Sequence, residues 1–170
     1  MKKAIIFLNL MLFTIQLFAL NIETDAFNHK EYIPHRYTCD TKDSSPSFSW
    51  SNVPEEAKSF VLICDDPDAP FKAWVHWVLV NIPKEVTSLK EGVSADELKN
   101  MGVIIGNNDF GSLGYRGPCP PPGKTHRYFF TLYALDSILP LKEGVEKKEV
   151  LKAIQGRILS ETRVIGLYQR

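Results

Sequence analysis

Beyond residue 20 the chain carries short stretches rich in β-branched and aromatic side chains, each cut by proline, glycine, aspartate, asparagine or serine. That punctuation is the strongest constraint on the fold. It leaves little room for long helices and favours many short strands joined by tight turns. Five stretches read as strands: residues 22–27, 47–51, 59–66, 74–82 and 126–135. Two helical signals interrupt the pattern. Ser94-Ala-Asp-Glu97 is a capping box that starts a short helix before Gly102. Residues 146–159 place Val150, Leu151, Ile154, Ile158 and Leu159 at helical spacing despite Gly156. Residues 162–168, T-R-V-I-G-L-Y, add a final strand. No repeat, low-complexity tract or linker appears, so residues 20–170 read as a single β-rich domain with peripheral helices.

The first residues have a different character. Lys2 and Lys3 precede an apolar run from Ala4 to Leu20 broken only by Asn9, Thr14 and Gln16. This is the layout of an export signal, expected to span residues 1–19 with cleavage after Ala19, and it implies a periplasmic or secreted protein. The three cysteines, Cys39, Cys64 and Cys119, would then meet an oxidising compartment, where one disulfide and one free thiol is the natural arithmetic. Cys64 sits in the apolar run F-V-L-I-C-D-D, whereas Cys39 and Cys119 lie in turn-rich segments. The expected pair is Cys39–Cys119, although sequence alone leaves the connectivity open. Twenty basic and twenty acidic side chains balance. Nothing electrostatic therefore points to nucleic acid, and any bound anion needs a local site.

Gly117 to Thr125, G-P-C-P-P-P-G-K-T, imitates a phosphate-binding loop and is not one. Five residues separate its glycines where such a loop has four. Four of those five are prolines, which have no N–H to offer a phosphate. The next residues, H-R-Y-F-F-T-L-Y-A-L, read as a strand rather than a helix. The stretch is instead a rigid rim that delivers His126 and Tyr128 to one face of that strand, because strand side chains alternate.

Two further segments place ionisable groups at strand ends. D-D-P-D-A-P holds Asp66 and Asp68 between prolines, and W-V-H-W-V-L-V-N-I places His76 on an apolar strand, on the same face as Trp74, Val78 and Val80. Each has an ordinary structural explanation: a solvated turn for the first and a satisfied core histidine for the second. Together they suggest a pocket in which carboxylates favour charged imidazoles, which in turn hold an anion. Backbone N–H groups around Gly117 would add donors.

D-D-P-D-A-P, W-V-H-W-V-L-V-N-I-P and N-D-F-G-x-x-G-Y-x-G-P-C-P-P-x-G-x-x-H-R-Y-x-F-x-L-Y-A-L-D resemble the phosphatidylethanolamine-binding protein family, also called Raf kinase inhibitor-like proteins, and its bacterial branch in particular. The resemblance covers essentially all of the chain after the export signal. It implies a mainly β fold of two packed antiparallel sheets with a few peripheral helices and a small anion pocket at one end. On matching positions the ligand-binding residues would be Asp66, Asp68, His76, Gly117, Pro118, His126 and Tyr128. One departure is Thr41, where bacterial relatives commonly carry glycine.

The leading functional expectation is a non-catalytic protein that binds a small anionic ligand, such as a phospholipid head group or a phosphorylated or carboxylated metabolite, without a cofactor. It could also inhibit or regulate a protein target, and a homodimer is left open. No G-x-S-x-G elbow or other nucleophile accompanies the histidines. The alternative is a metal-dependent hydrolase in which His76, His126 and Asp66 hold Zn²⁺ or Fe²⁺, although no H-E-x-x-H-type spacing supports it.

Overall fold

A computed structural model describes residues 19–170, and the expected export signal falls almost entirely outside the described residues. Among the described residues eight strands form two antiparallel sheets. The larger contains β3 (Ser59–Asp66), β4 (Trp74–Pro83), β6 (Ile104–Ile105), β7 (His126–Leu135) and β8 (Ile158–Tyr168) in the order β6-β4-β3-β7-β8. The smaller contains β1 (Asn21–Glu23), β2 (Phe48–Ser51) and β5 (Ser88–Leu89) in the order β1-β2-β5. Two short helices, α1 (Ala95–Asn100) and α2 (Lys147–Ala153), lie outside the sheets. The mainly β fold expected from the sequence is present.

The strand pattern explains the layering. β3 is buried along nearly its whole length, as a central strand covered on both faces must be. Phe60, Leu62 and Cys64 turn toward the small sheet and pack with Phe48, Trp50 and Phe130. Val61 and Ile63 turn the other way, into a second cluster with Val78, Val80, Val150 of α2 and Ile154, which caps that helix. Ser94 caps α1 as expected, accepting from the Glu97 N–H, while the Glu97 carboxylate accepts from the Ser94 N–H.

Several expected boundaries are corrected. The first strand ends at Glu23 rather than 27, because the Thr24 hydroxyl accepts the Ala26 N–H and turns the chain. The helix expected over 146–159 ends at Ala153. Gly156 has φ +72°, a left-handed conformation that glycine adopts freely and that closes the helix. Ile158 and Leu159 therefore begin β8, whose long antiparallel pairing with β7 outweighs the helical spacing of their side chains. Within the segment from Met101 to Gly123, Ile104–Ile105 pairs with β4 as an edge strand. The Asn108 side chain organises the next turn, accepting from the Phe110 and Ser112 N–H groups and donating to Gly114 O.

His76 is displaced from its expected face by a β-bulge. Cys64 pairs with Trp77 while Asp65 pairs with Val75, so His76 is an extra residue with no partner on β3. Val75 consequently joins Val78 and Val80 in the outer cluster, and His76 turns with Trp74 to the opposite side. Thr41 has no need of glycine's freedom: its φ is negative, and its hydroxyl donates to His35 O at 2.6 Å.

The proline-rich segment is anchored to the loop after the 3₁₀ turn His35–Tyr37. Cys39 and Cys119 form the expected disulfide, and Cys64 is the buried free thiol. The Cys39 N–H donates to Pro118 O (3.1 Å), the Gly117 N–H to Asp43 Oδ1 (2.6 Å) and the Tyr115 hydroxyl to Tyr37 O (2.7 Å). A Cβ on Gly117 would lie 2.1 Å from Tyr37 O and 2.8 Å from Thr38 Cα, so only glycine allows the two segments to approach this closely. The disulfide closes a separation of 80 residues, for which the chain-entropy estimate is about 4.5 kcal/mol of stability. A Cys39→Ser/Cys119→Ser double variant is therefore expected to unfold at a clearly lower denaturant concentration. An unchanged midpoint would show that the hydrogen bonds alone hold the wall.

Candidate functional site

The ends of β3, β4 and β7 converge beside this anchored wall. Asp66 ends β3 on its inner face, His76 occupies the bulge of β4, and His126 and Tyr128 share the inner face at the start of β7. All four are buried, at 3%, 2%, 7% and 0% exposure respectively. They line a cavity of about 290 Å³ whose mouth is apolar, formed chiefly by Pro70, Phe71, Trp74, Phe110 and Pro121. Phe71 is fully exposed there, with φ +77°.

The polar groups form a defined hydrogen-bond set. The Asp66 carboxylate accepts from His126 Nδ1 at 2.7 Å and from the Asp68 N–H at 2.8 Å. His76 Nδ1 lies 2.6 Å from the carbonyl oxygen of Arg116. A backbone carbonyl only accepts, and an ionised carboxylate only accepts, so the proton of each neutral ring sits on Nδ1. Nε2 is then the free nitrogen of each histidine. It is a lone-pair acceptor while the ring is neutral and a donor once the ring is charged. The His76 ring also meets Tyr128 and Phe110 edge-on, with centroids 5.2 Å away in each case, which fixes its plane.

Burial pushes the His76 pKa below its ordinary value, partly opposed by the Arg116 carbonyl and by the negative charge of Asp66. The expectation that the carboxylates would favour a charged ring is therefore corrected for His76, where desolvation outweighs them. Burial, reinforced by Asp66, pushes the Tyr128 hydroxyl well up, so it keeps its proton. Among the described residues that hydroxyl has no partner at hydrogen-bond geometry, although the Asp66 carboxylate and the Cys119 backbone are its polar neighbours.

Asp68, Gly117 and Pro118 lie outside the cavity lining. Asp68 accepts from the Arg127 backbone N–H (2.9 Å), Nε (2.8 Å) and Nη2 (2.7 Å), and this pairing holds its carboxyl below the usual range. It ties the D-P-D turn to β7. The Gly117 N–H is taken by Asp43 and Pro118 O by Cys39, so both residues support the wall rather than offer donors. Asp43 also forms an ion pair with Arg116, Oδ2 lying 3.1 Å from Nε, beside the carbonyl that holds His76. The sequence reading missed Asp43 and Arg116 as positioning residues and Phe71, Trp74 and Phe110 as the mouth. Trp74 and Phe110 stand inside the motifs W-V-H and N-D-F-G, so the signal was present; nothing local marks Asp43.

Among the described residues no three His, Cys, Asp or Glu side chains gather in a geometry suited to a metal ion. Of the residues in the metal alternative, His76, His126 and Asp66, the Asp66 carboxylate and both Nδ1 atoms are committed to hydrogen bonds with protein groups, which leaves the two Nε2 atoms uncommitted.

The family model for phosphatidylethanolamine-binding protein matches residues 23–169. A UPF0098 protein of Methanothermobacter thermautotrophicus is 55% identical over 151 residues, covering 89% of this chain and 99% of that one. A UPF0098 protein of Aquifex aeolicus is 46% identical over 154 residues, covering 89% of each. Two crystal structures are similar, each over 89% of this chain and 98% of the other. E. coli YbcL, described as a member of the mammalian PEBP family, has 32% identity and a TM-score of 0.83. A phosphatidylethanolamine-binding protein homologue from Chlamydia trachomatis has 38% identity and a TM-score of 0.82. With the family model spanning nearly all of the described residues and relatives of this identity matching along their length, the chain belongs to the phosphatidylethanolamine-binding protein family.

Proposed function

We propose that this protein is a non-catalytic binding protein whose pocket takes a small anionic group, such as the phosphoryl part of a lipid head group or a phosphorylated or carboxylated metabolite. The observation that carries this reading is the commitment of both histidine Nδ1 atoms to acceptors. Protonation turns both Nε2 atoms into donors with positive charge behind them, and Tyr128, whose hydroxyl keeps its proton and has no hydrogen-bond partner among the described residues, lines the same cavity. The apolar mouth suits an anion attached to a less polar body. Phosphatidylethanolamine gives the family its name, and its head group has this chemistry. We further propose export, for which the Lys2-Lys3 apolar segment and the Cys39–Cys119 disulfide are the support. Intact-mass measurement of the exported protein is expected to show loss of residues 1–19; a full-length mass with stable membrane association would overturn the cleaved form.

Because anion binding and ring protonation favour each other, affinity rises as pH falls. In the anion-free site the pKa of His76 is depressed, and a bound anion raises it. The gain therefore begins as pH drops through the bound-state value and continues below about 6.5, the ordinary histidine value, until the free site is also protonated. The slope is at most about tenfold per pH unit for each proton taken up. Sulfate, whose charge is constant over this range, is the probe for calorimetric titration between pH 8 and pH 5.5. Affinity independent of pH would remove the histidines from the binding step.

His126→Ala removes a charge-assisted hydrogen bond worth roughly 1.5–3 kcal/mol and leaves the buried Asp66 carboxylate facing the anion. Phosphorylethanolamine affinity is expected to fall tenfold or more, while Lys124→Ala, at an exposed residue of the rim, changes little. Equal losses from the two variants in titration calorimetry would place the anion on the rim instead.

A further inference from the structure

The mouth of the anion pocket offers no counter-charge to a cation. Asp66 is the one acidic residue in the lining, and its buried carboxylate already accepts from His126 and from the Asp68 N–H. Carbonyl oxygens of the flanking loops are engaged as well: Pro70 O accepts the Lys72 N–H at 3.0 Å, and Pro118 O accepts from Cys39. Aromatic faces are the other means of holding an ammonium group. Here two of them already carry the protein's own cations. The Lys72 ammonium lies 5.6 Å from the centre of the Trp74 ring, and the Arg116 guanidinium 5.5 Å from that of Phe110. The acids beside these cations are taken too, since Asp109 pairs with Lys72 at 2.7 Å and Asp43 with Arg116 at 3.1 Å.

Phe71 is the ring at the mouth with no commitment. It stacks on no other ring and meets no cation among the described residues. Its side chain is fully exposed and its φ is +77°, so neither burial nor backbone preference accounts for a phenylalanine there. With Trp74, Phe110, Pro70 and Pro121 it frames a hydrocarbon entrance directly above the histidines.

Resting on the anion-pocket reading above, we infer that this mouth selects a phosphate monoester whose attached body is uncharged and apolar, and discriminates against a head group that carries an amine beside its phosphate. The phosphate meets the histidine Nε2 donors, and the first carbons beyond it lie against Phe71, Trp74 and Phe110. An ammonium in the same place would leave water without gaining a partner. Phosphorylethanolamine therefore binds through its phosphoryl group alone.

The test is calorimetric titration of the intact protein, at one pH, with methyl, n-propyl and n-butyl phosphate and with phosphorylethanolamine. Propyl phosphate and phosphorylethanolamine differ only in a terminal methyl or ammonium, and the propyl ester is expected to bind about tenfold more tightly. A fully buried methylene is worth roughly fourfold in affinity, so three partly buried ones should make butyl phosphate about tenfold tighter than methyl phosphate. Phe71→Gly, which suits the positive φ, should narrow that gain to about threefold, and Phe71→Leu should retain most of it. Competition by phosphatidylcholine vesicles containing phosphatidic acid separates the two sources of this chemistry: displacement of butyl phosphate assigns the lipid, and an undisturbed titration assigns the free ester. Equal affinity from methyl to butyl phosphate, an unchanged gain in Phe71→Gly, or phosphorylethanolamine binding as tightly as the propyl ester would overturn the inference and leave the anion pocket standing. Failure of every phosphate, methyl phosphate included, would overturn the pocket itself and the inference with it.

Discussion

The buried hydrogen bond from His126 Nδ1 to Asp66 is the interaction on which the site depends. A carboxylate taken out of water is costly unless its lone pairs are satisfied, and Asp66 is satisfied by two partners that each bind another element to it. His126 brings the start of β7 to the end of β3. The Asp68 N–H folds the D-P-D turn back on the same carboxylate, and Asp68 then clamps Arg127, the residue after His126. One acid thus fixes the spacing of two strand ends and the course of the loop between β3 and β4. Without it the strands would still pair further along, where Phe60, Leu62 and Phe130 are packed, but the cavity floor would have no defined shape.

The opposite wall is held by different means. No regular element passes through Arg116 to Pro121, so its position comes from cross-links to the 38–43 loop: a disulfide, the close contact at Gly117 and the Asp43 carboxylate. Asp43 itself has φ +55°, an uncommon conformation for a residue with a side chain. Its two oxygens satisfy Gly117 and Arg116, and the Arg116 carbonyl fixes the tautomer of His76. The proline content is consistent with this arrangement, since a wall made of Pro118, Pro120 and Pro121 has few N–H groups to leave unpaired and little backbone freedom to lose.

Legibility in the sequence followed the regularity of each element. β7 alternates without interruption, so His126 and Tyr128 were correctly placed on one face from spacing alone. β4 contains a bulge, which side-chain spacing does not reveal, and the same counting put His76 with Val78 and Val80 on the wrong side. β5 and β6 have two residues each, too few for any period to register. At 146–159 a helical pattern was real but local. Its second half was taken by pairing with β7, a contact between segments distant in sequence. The site was legible as a set of motifs. The division of labour inside those motifs was not, because Asp66 and Asp68 look alike in D-D-P-D-A-P and differ only in what faces them.

That division bears on what the pocket can do chemically. Covalent catalysis needs a nucleophile that can shed its proton, and the candidates here cannot. Burial and the negative charge of Asp66 keep the Tyr128 hydroxyl protonated, Cys119 is held in its disulfide, and Cys64 is fully buried with its thiol pKa pushed well up by desolvation. The histidine Nε2 lone pairs remain as potential bases, but among these side chains there is no group for them to activate. Once protonated, they become donors around a small volume already lined by a protonated phenol. The pocket is therefore organised to gain donors as it gains protons, and an anion that brings its own negative charge supplies what desolvation took from His76. Binding and protonation are two descriptions of one equilibrium in such a site, as the proposed anion-binding role requires.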